Sequence, residues 1–196
     1  VHMLGDVNGD GYADQIIGRL HSSGNYWNYF ARFSTDSGFG TGGHDVVGSF
    51  GGPGTVPYAV ADLDGDGLDD RIATSINPQD ARNYWASKTG AGGTFPGGAD
   101  WTSFFGGTNT SLVGIYDVNN DGIADRVDAF NNNWRVDFGP AAGGFGDSGA
   151  DWMGYFGGTE SNITRLIGDV SGDGLGDRVL ATLDQQGQYD WVASIS

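Results

Sequence analysis

The 196-residue sequence contains no cysteine, only three histidines and five prolines, and nine lysines and arginines against 25 aspartates and glutamates. Without cysteine there is no disulfide framework, no thiolate metal site and no thiol nucleophile. His2, His21 and His44 fall in no recurring arrangement, so a hydroxyl activated by a neighbouring imidazole has no pointer here. No apolar run of membrane-spanning length, no signal-peptide pattern and no segment of helical period is present. The formal net charge of −16 excludes the basic face that nucleic acid requires. It is equally unsuited to an anionic membrane surface.

What the sequence does have is glycine and aspartate in a repeated pattern. In "GDVNGDGYAD", Asp6, Asn8, Asp10 and Asp14 stand at positions 1, 3, 5 and 9 of a loop, with the carbonyl of Tyr12 at position 7 and Gly11 at position 6. Oxygen donors at alternate positions around a sharp glycine turn match the front of an EF-hand calcium loop. The closing Glu of an EF-hand and its helices are missing, and the residues that follow, Gln15-Ile16-Ile17, read as a strand.

The pattern returns three times, in "ADLDGDGLDD", "YDVNNDGIAD" and "GDVSGDGLGD". The candidate ligands are Asp62, Asp64, Asp66 and Asp70 with the Leu68 carbonyl; Asp117, Asn119, Asp121 and Asp125 with the Ile123 carbonyl; and Asp169, Ser171, Asp173 and Asp177 with the Leu175 carbonyl. One such turn would be an ordinary Asx-type turn. Four with one spacing point to a shared ligand, and about four calcium ions are expected, with four metal-free turns as the plain alternative. Counting Asp69, 14 of the 25 acidic residues lie in these loops, so four divalent ions would halve the net charge to −8.

Each loop lies between short apolar segments rich in β-branched residues, for example "TVPYAVAD" before and "DRIATSI" after, so it reads as the turn of a hairpin. A third segment carries a tryptophan, Trp27, Trp85, Trp134 or Trp191, expected at matching places and in the core. The fourth is "DVVGSFGG", "DWTSFFGG" or "DWMGYFGG" and occurs only three times, leaving one unit short of a strand. Arg71, Arg126 and Arg178 follow the last loop acid and are expected to pair with carboxylates at the loop rim. Four strands per unit with Gly-rich turns predict an all-β fold, a β-propeller of about four repeated four-stranded blades, as one repeat domain over 1–196 with loops at 6–14, 62–70, 117–125 and 169–177.

The motif D-x-[DN]-x-D-G-x-x-D followed by a strand, with the "SFGG", "FFGG" and "YFGG" segments, resembles the FG-GAP or VCBS type of repeat found in calcium-binding propellers such as the integrin α head, and the spacing is similar to that of propeller lectins. The Gly-Ala-Pro signature of the integrin pattern is missing, so integrin-like ligand recognition is not implied. The resemblance implies a secreted or cell-surface binding or adhesion module, with carbohydrate or an extracellular protein as partner and no catalysis. A polysaccharide-active propeller enzyme or its accessory domain, and a purely structural repeat module, are the alternatives. Trp101 and Trp152, each beside an acid, Asp100 and Asp151, offer stacking faces for a sugar. Blade count leaves three arrangements open: a four-bladed ring, part of a longer propeller, or a homo-oligomer of two chains completing eight blades.

Overall fold

The computed structural model describes residues 1–77, 79, 81–156 and 163–195. The described residues form four small antiparallel sheets and no helix. Blade 1 contains β1 (His2–Gly5), β2 (Asp14–Leu20), β3 (Trp27–Arg32) and β6 (Val46–Phe50); between its last two strands lies a two-residue ribbon, β4 (Ser34–Thr35) with β5 (Gly38–Phe39). Blade 2 contains β7 (Val56–Ala61), β8 (Asp70–Ile76), β9 (Ala81–Ser87) and β10 (Trp101–Gly107). Blade 3 contains β11 (Ser111–Tyr116), β12 (Asp125–Phe130), β13 (Asn133–Asp137) and β14 (Trp152–Tyr155). Blade 4 contains β15 (Ile163–Gly168), β16 (Asp177–Leu183) and β17 (Tyr189–Ser194), and among the described residues it has no fourth strand. Each blade is a plain meander, and the four make up a four-bladed β-propeller architecture.

Because side chains alternate across a strand, each blade offers one face forward to the next blade and one back to the preceding one. The forward face of blade 1 and the back face of blade 2 enclose one core cluster, centred on Ile16, Tyr29, Phe50, Ala73 and Phe95. A second cluster around Ile72, Tyr84, Phe105 and Ile115 joins blades 2 and 3, and a third around Val127, Trp134 and Leu180 joins blades 3 and 4. The inner strands pack in sequence, β1 on β7, β7 on β11 and β11 on β15, with no comparable packing of β15 on β1 among the described residues. Three interfaces for four blades is the arithmetic of an arc.

Two expectations about the repeat need correction. Counted from the last loop acid, β2, β8, β12 and β16 pair in one register with the third strand of each blade, and the fifth residue of these strands faces Tyr29, Tyr84, Trp134 and Trp191. Trp27 and Trp85 therefore do not match Trp134 and Trp191: Trp27 pairs with Leu20, and Trp85 pairs with Ala73 on the opposite face. The connection from the second to the third strand differs in length between blades, and a one-residue change in pairing reverses the face a side chain takes. Only Trp134 of the four tryptophans is fully buried; Trp27 and Trp85 are half-buried and Trp191 is 61% exposed.

The arginines after the loops also lie elsewhere than expected. Asp70 and Arg71 are consecutive in a strand and so point to opposite faces, which takes Arg71 away from its loop. Its guanidinium lies over the rings of Tyr29 and Phe50 of blade 1 and Phe95 of its own blade, and donates to Ser87 Oγ and the Pro96 carbonyl. Arg126 repeats this over Tyr84, Phe105 and Phe145, with an ion pair to Asp137 and a bond to the Gly146 carbonyl. Arg178 lies over Trp152 and Phe156 and donates to Ser194 Oγ. These arginines are bolts between blades.

Candidate functional site

The four loops fold alike. In the first, Asp6 Oδ1 accepts the Gly9 N–H at 2.7 Å and Oδ2 accepts the Gly11 N–H at 2.7 Å, while Asp10 Oδ1 accepts from Tyr12 N at 2.9 Å. Asp62, Asp117 and Asp169 hold the equivalent amides, Gly65 and Gly67, Asn120 and Gly122, and Gly172 and Gly174. Asp66, Asp121 and Asp173 accept from Leu68, Ile123 and Leu175 as Asp10 does from Tyr12. Glycines at φ near +80° allow this winding, and in the third loop Asn120 takes the left-handed position at φ 64°, as asparagine does most readily among residues with a Cβ.

The ninth residue of each loop is its anchor. Asp14, Asp70, Asp125 and Asp177 are fully buried and accept the N–H of the second loop residue, Val7, Leu63, Val118 and Val170. The other oxygen of the first three accepts a backbone N–H from the chain just past the third strand of the blade, at Ser34, Thr89 and Gly139. Burial raises the carboxyl of Asp70 to about 7 and of Asp125 to about 6, against the pull of these amide donors, and raises Asp14 as well. The neighbouring Asp69, half-buried between loops, is raised to about 6 by desolvation.

Successive loops are tied together. The N–H of the eighth loop residue in blades 2, 3 and 4, Asp69, Ala124 and Gly176, donates to the carbonyl of the first residue of the preceding loop, Asp6, Asp62 and Asp117. Asp69 Oδ2 returns a bond by accepting from Asp6 N. The acidic loops thus form one ridge.

Oxygens of Asp62, Asp64 and Asp70 lie within 4.8 Å of one another, the only group of three acidic or imidazole donors so close among the described residues. Asp64 Oδ1 is buried and has no hydrogen-bond partner. In this second loop alone an ammonium approaches: Lys88 Nζ pairs with Asp64 and lies 3.1 Å from Asp66, and these bonds raise its pKa. Asn8 and Asn119 instead orient their amides on Asp10 and Asp121. An all-oxygen donor set of this kind, with a partnerless carboxylate oxygen and a cation already drawn to the second loop, fits a hard divalent ion such as calcium.

The candidate sugar residues lie apart from the ridge. Trp101 in β10 is half-buried against the cluster between blades 2 and 3, and Gly144 of the next blade is so close to its ring that a Cβ there would lie 2.5 Å from Cδ1. Trp152 in β14 is 40% exposed, with the Arg178 guanidinium 5.4 Å from its ring centre. Val46, Trp101 and Trp152 open the fourth strands at one register, pairing with Ala31, Ala86 and Val136. Asp100 and Asp151 are exposed, but each spends one oxygen on a backbone N–H, of Lys88 and Phe138, as Asp45 does on Phe33. The two tryptophans belong to successive blades, and the cleft between blades 3 and 4 that contains Trp152 does not include Trp101.

Clefts between blades carry aromatic walls. The one between blades 1 and 2, about 390 Å³, has Trp85 and Tyr26 with Ser49, Thr55 and the Gly51-Gly52 turn. That turn is fixed by Thr55 Oγ1, which accepts from Gly52 N and donates to Gly52 O, while Trp27 Nε1 donates to the Thr55 carbonyl. The one between blades 3 and 4, about 180 Å³, is more apolar and contains Trp152 with Trp134, Phe138 and Arg178. Trp85 was singled out in the sequence as core. Its place in a cleft is set by the pairing that the sequence does not show.

Fold and site together define a propeller with an acidic ridge and open clefts between its blades. Comparison with protein-family models and with curated proteins gives no match. Among solved structures the chain is similar to an Agrocybe aegerita lectin described as recognising non-reducing terminal N-acetylglucosamine, with 20% identity and a TM-score of 0.52 over 97% of this chain. The chain spans half the length of that lectin. At that identity the likeness concerns the fold.

Proposed function

We propose that the protein is a calcium-stabilised, carbohydrate-binding propeller that binds without catalysing. The observation that carries this reading is the cleft between blades 1 and 2. Trp85 and Tyr26 give it apolar faces of the kind that stack on a sugar ring, and Ser49, Thr55 and nearby backbone groups supply hydroxyl and amide partners. The cleft is of the size of small-ligand sites. The similar lectin recognises terminal N-acetylglucosamine, which makes that sugar the first to try. The cleft with Trp152 is the second place for a sugar. Calcium would be held by the side-chain oxygens of the four loops and the carbonyls of Tyr12, Leu68, Ile123 and Leu175, and would neutralise the acidic ridge. FG-GAP or VCBS kinship is supported by the common form of the loops. Loops of this class that bind weakly fill only at extracellular calcium, about 0.1–1 mM, which suits a secreted or surface protein.

The test is a calorimetric titration with N-acetylglucosamine-terminated oligosaccharides in calcium. The expected outcome is saturable binding that Trp85→Ala weakens at least ~10-fold, about 1.4 kcal/mol, measured well below the melting temperature of the variant because Trp85 also packs on the core between blades 1 and 2. Absence of binding across a broad glycan panel contradicts the reading.

A further inference from the structure

Trp85 stands on the back face of blade 2 as one corner of a cross-strand square. It pairs with Thr102, and Asn83, two residues earlier in β9, pairs with Phe104 in β10. Cross-strand partners and alternate residues share a face, and diagonal neighbours lie within reach of an aromatic side chain. These four side chains border a depression of about 450 Å³ on the outer strands of the blade, with Ser148 of blade 3 at its margin. Trp85 also lines the cleft beside the Gly51-Gly52 turn, so one indole is common to both. Phe104 is 56% exposed, an aromatic face turned to solvent. The amide of Asn83 and the hydroxyl of Thr102 make no hydrogen bond among the described residues, whereas Asn28, the matching residue of blade 1, accepts from Ser49 Oγ. Other blades use the place of Trp85 differently. In blade 1 it is Phe30, against which lie the His44 ring and the Arg19 guanidinium, and in blade 3 it is Arg135, held by both oxygens of Asp128.

We propose that this square is a second sugar subsite, which takes the residue next to the one held beside the Gly51-Gly52 turn, so that the protein recognises a disaccharide or longer neutral glycan across Trp85. The inference rests on the reading of that cleft as a sugar site. A sugar ring offers an apolar face to an aromatic and hydroxyls at its rim. Trp85 and Phe104 supply the aromatic faces, Asn83 both donates and accepts, and Thr102 adds a hydroxyl. None of the four is charged, so the match is to a neutral sugar residue, and the net charge of −16 disfavours an anionic one. A linked occupant gains because its second residue is already placed by the first.

Calorimetric titration with N-acetylglucosamine and with N-acetylglucosamine-terminated disaccharides of differing linkage tests this, with circular dichroism as the check on folding. At least one disaccharide should bind the wild type ~10-fold or more tighter than the monosaccharide. Phe104→Ala should bring that disaccharide back to the affinity of the monosaccharide, and Phe104→Trp should keep most of the gain. Asn83→Ala, on the facing strand, should act in the same direction as Phe104→Ala. Equal affinities for the monosaccharide and every disaccharide overturn the second subsite and leave the first cleft standing. A disaccharide preference that neither Phe104→Ala nor Asn83→Ala reduces does the same. Binding of no sugar at all overturns both.

Discussion

Arg71 and Arg126 are among the largest fully buried side chains, and both are held mainly by aromatic faces. Each leaves Nε and Nη1 without a hydrogen-bond partner, and burial lowers both pKa values, that of Arg71 to about 10. The ring quadrupoles offset part of this desolvation. The two differ in one respect: Arg126 pairs with the buried Asp137, whereas the hydrogen bonds of Arg71 go to a hydroxyl and a carbonyl. Replacing a buried charge by an apolar chain of similar volume is often neutral, while orphaning its partner costs about 3–5 kcal/mol. Arg71→Met should therefore unfold in denaturant within about 1 kcal/mol of wild type, and Arg126→Met should lose ~3–5 kcal/mol. Equal losses in the two would refute this account of the bolts. Similarly, Trp134→Ala should cost ~3–5 kcal/mol as a core truncation, and Trp191→Ala, at an exposed site, should stay within about 0.5 kcal/mol.

At the scale of elements, the unit is a hairpin whose turn is an acidic loop. Each first-position aspartate collects amides from two or more later loop residues, and each ninth-position aspartate fixes the loop to the blade. Asp10→Ala removes a middle donor and leaves this frame intact. A calcium titration should then lose the first site and keep those at Asp66, Asp121 and Asp173, and simultaneous loss of all sites would contradict separate loops. The second loop has Lys88 on Asp64 and Asp66, so Lys88→Met should raise its calcium affinity; an unchanged or weaker site would show that the ammonium does not compete. The loops and the strands around them were legible because the ligand spacing and the β-branched flanks are local. The pairing of second with third strand was not, because it depends on the length of the connection between them. That is why Trp27 and Trp85 were grouped with Trp134 and Trp191, and why Trp85 was not seen as a cleft wall. The arginines were misplaced for the related reason that neighbours in a strand part to opposite faces.

For the molecule as a whole, the three-stranded form of the last blade among the described residues could be read from the count of Gly-Gly segments, whereas the arc could not. Each repeat encodes the surface it offers its neighbours, and whether the first and last meet depends on the angle between blades. Three core clusters, a chain of loop-to-loop hydrogen bonds and three arginine bolts hold four blades in order. Calcium in the loops would act on all of these at once, because the loop ridge runs through every blade. The central claim is that the four acidic loops are cation sites on which the folded arc depends, and thermal unfolding of chelator-stripped protein, with and without calcium at about a hundredfold excess over its dissociation constant, tests it most directly. One site filled to that level adds ~2.7 kcal/mol, which for a chain of this size corresponds to a rise of at least ~5 °C in the melting temperature. Identical melting curves in calcium and in chelator would contradict the account.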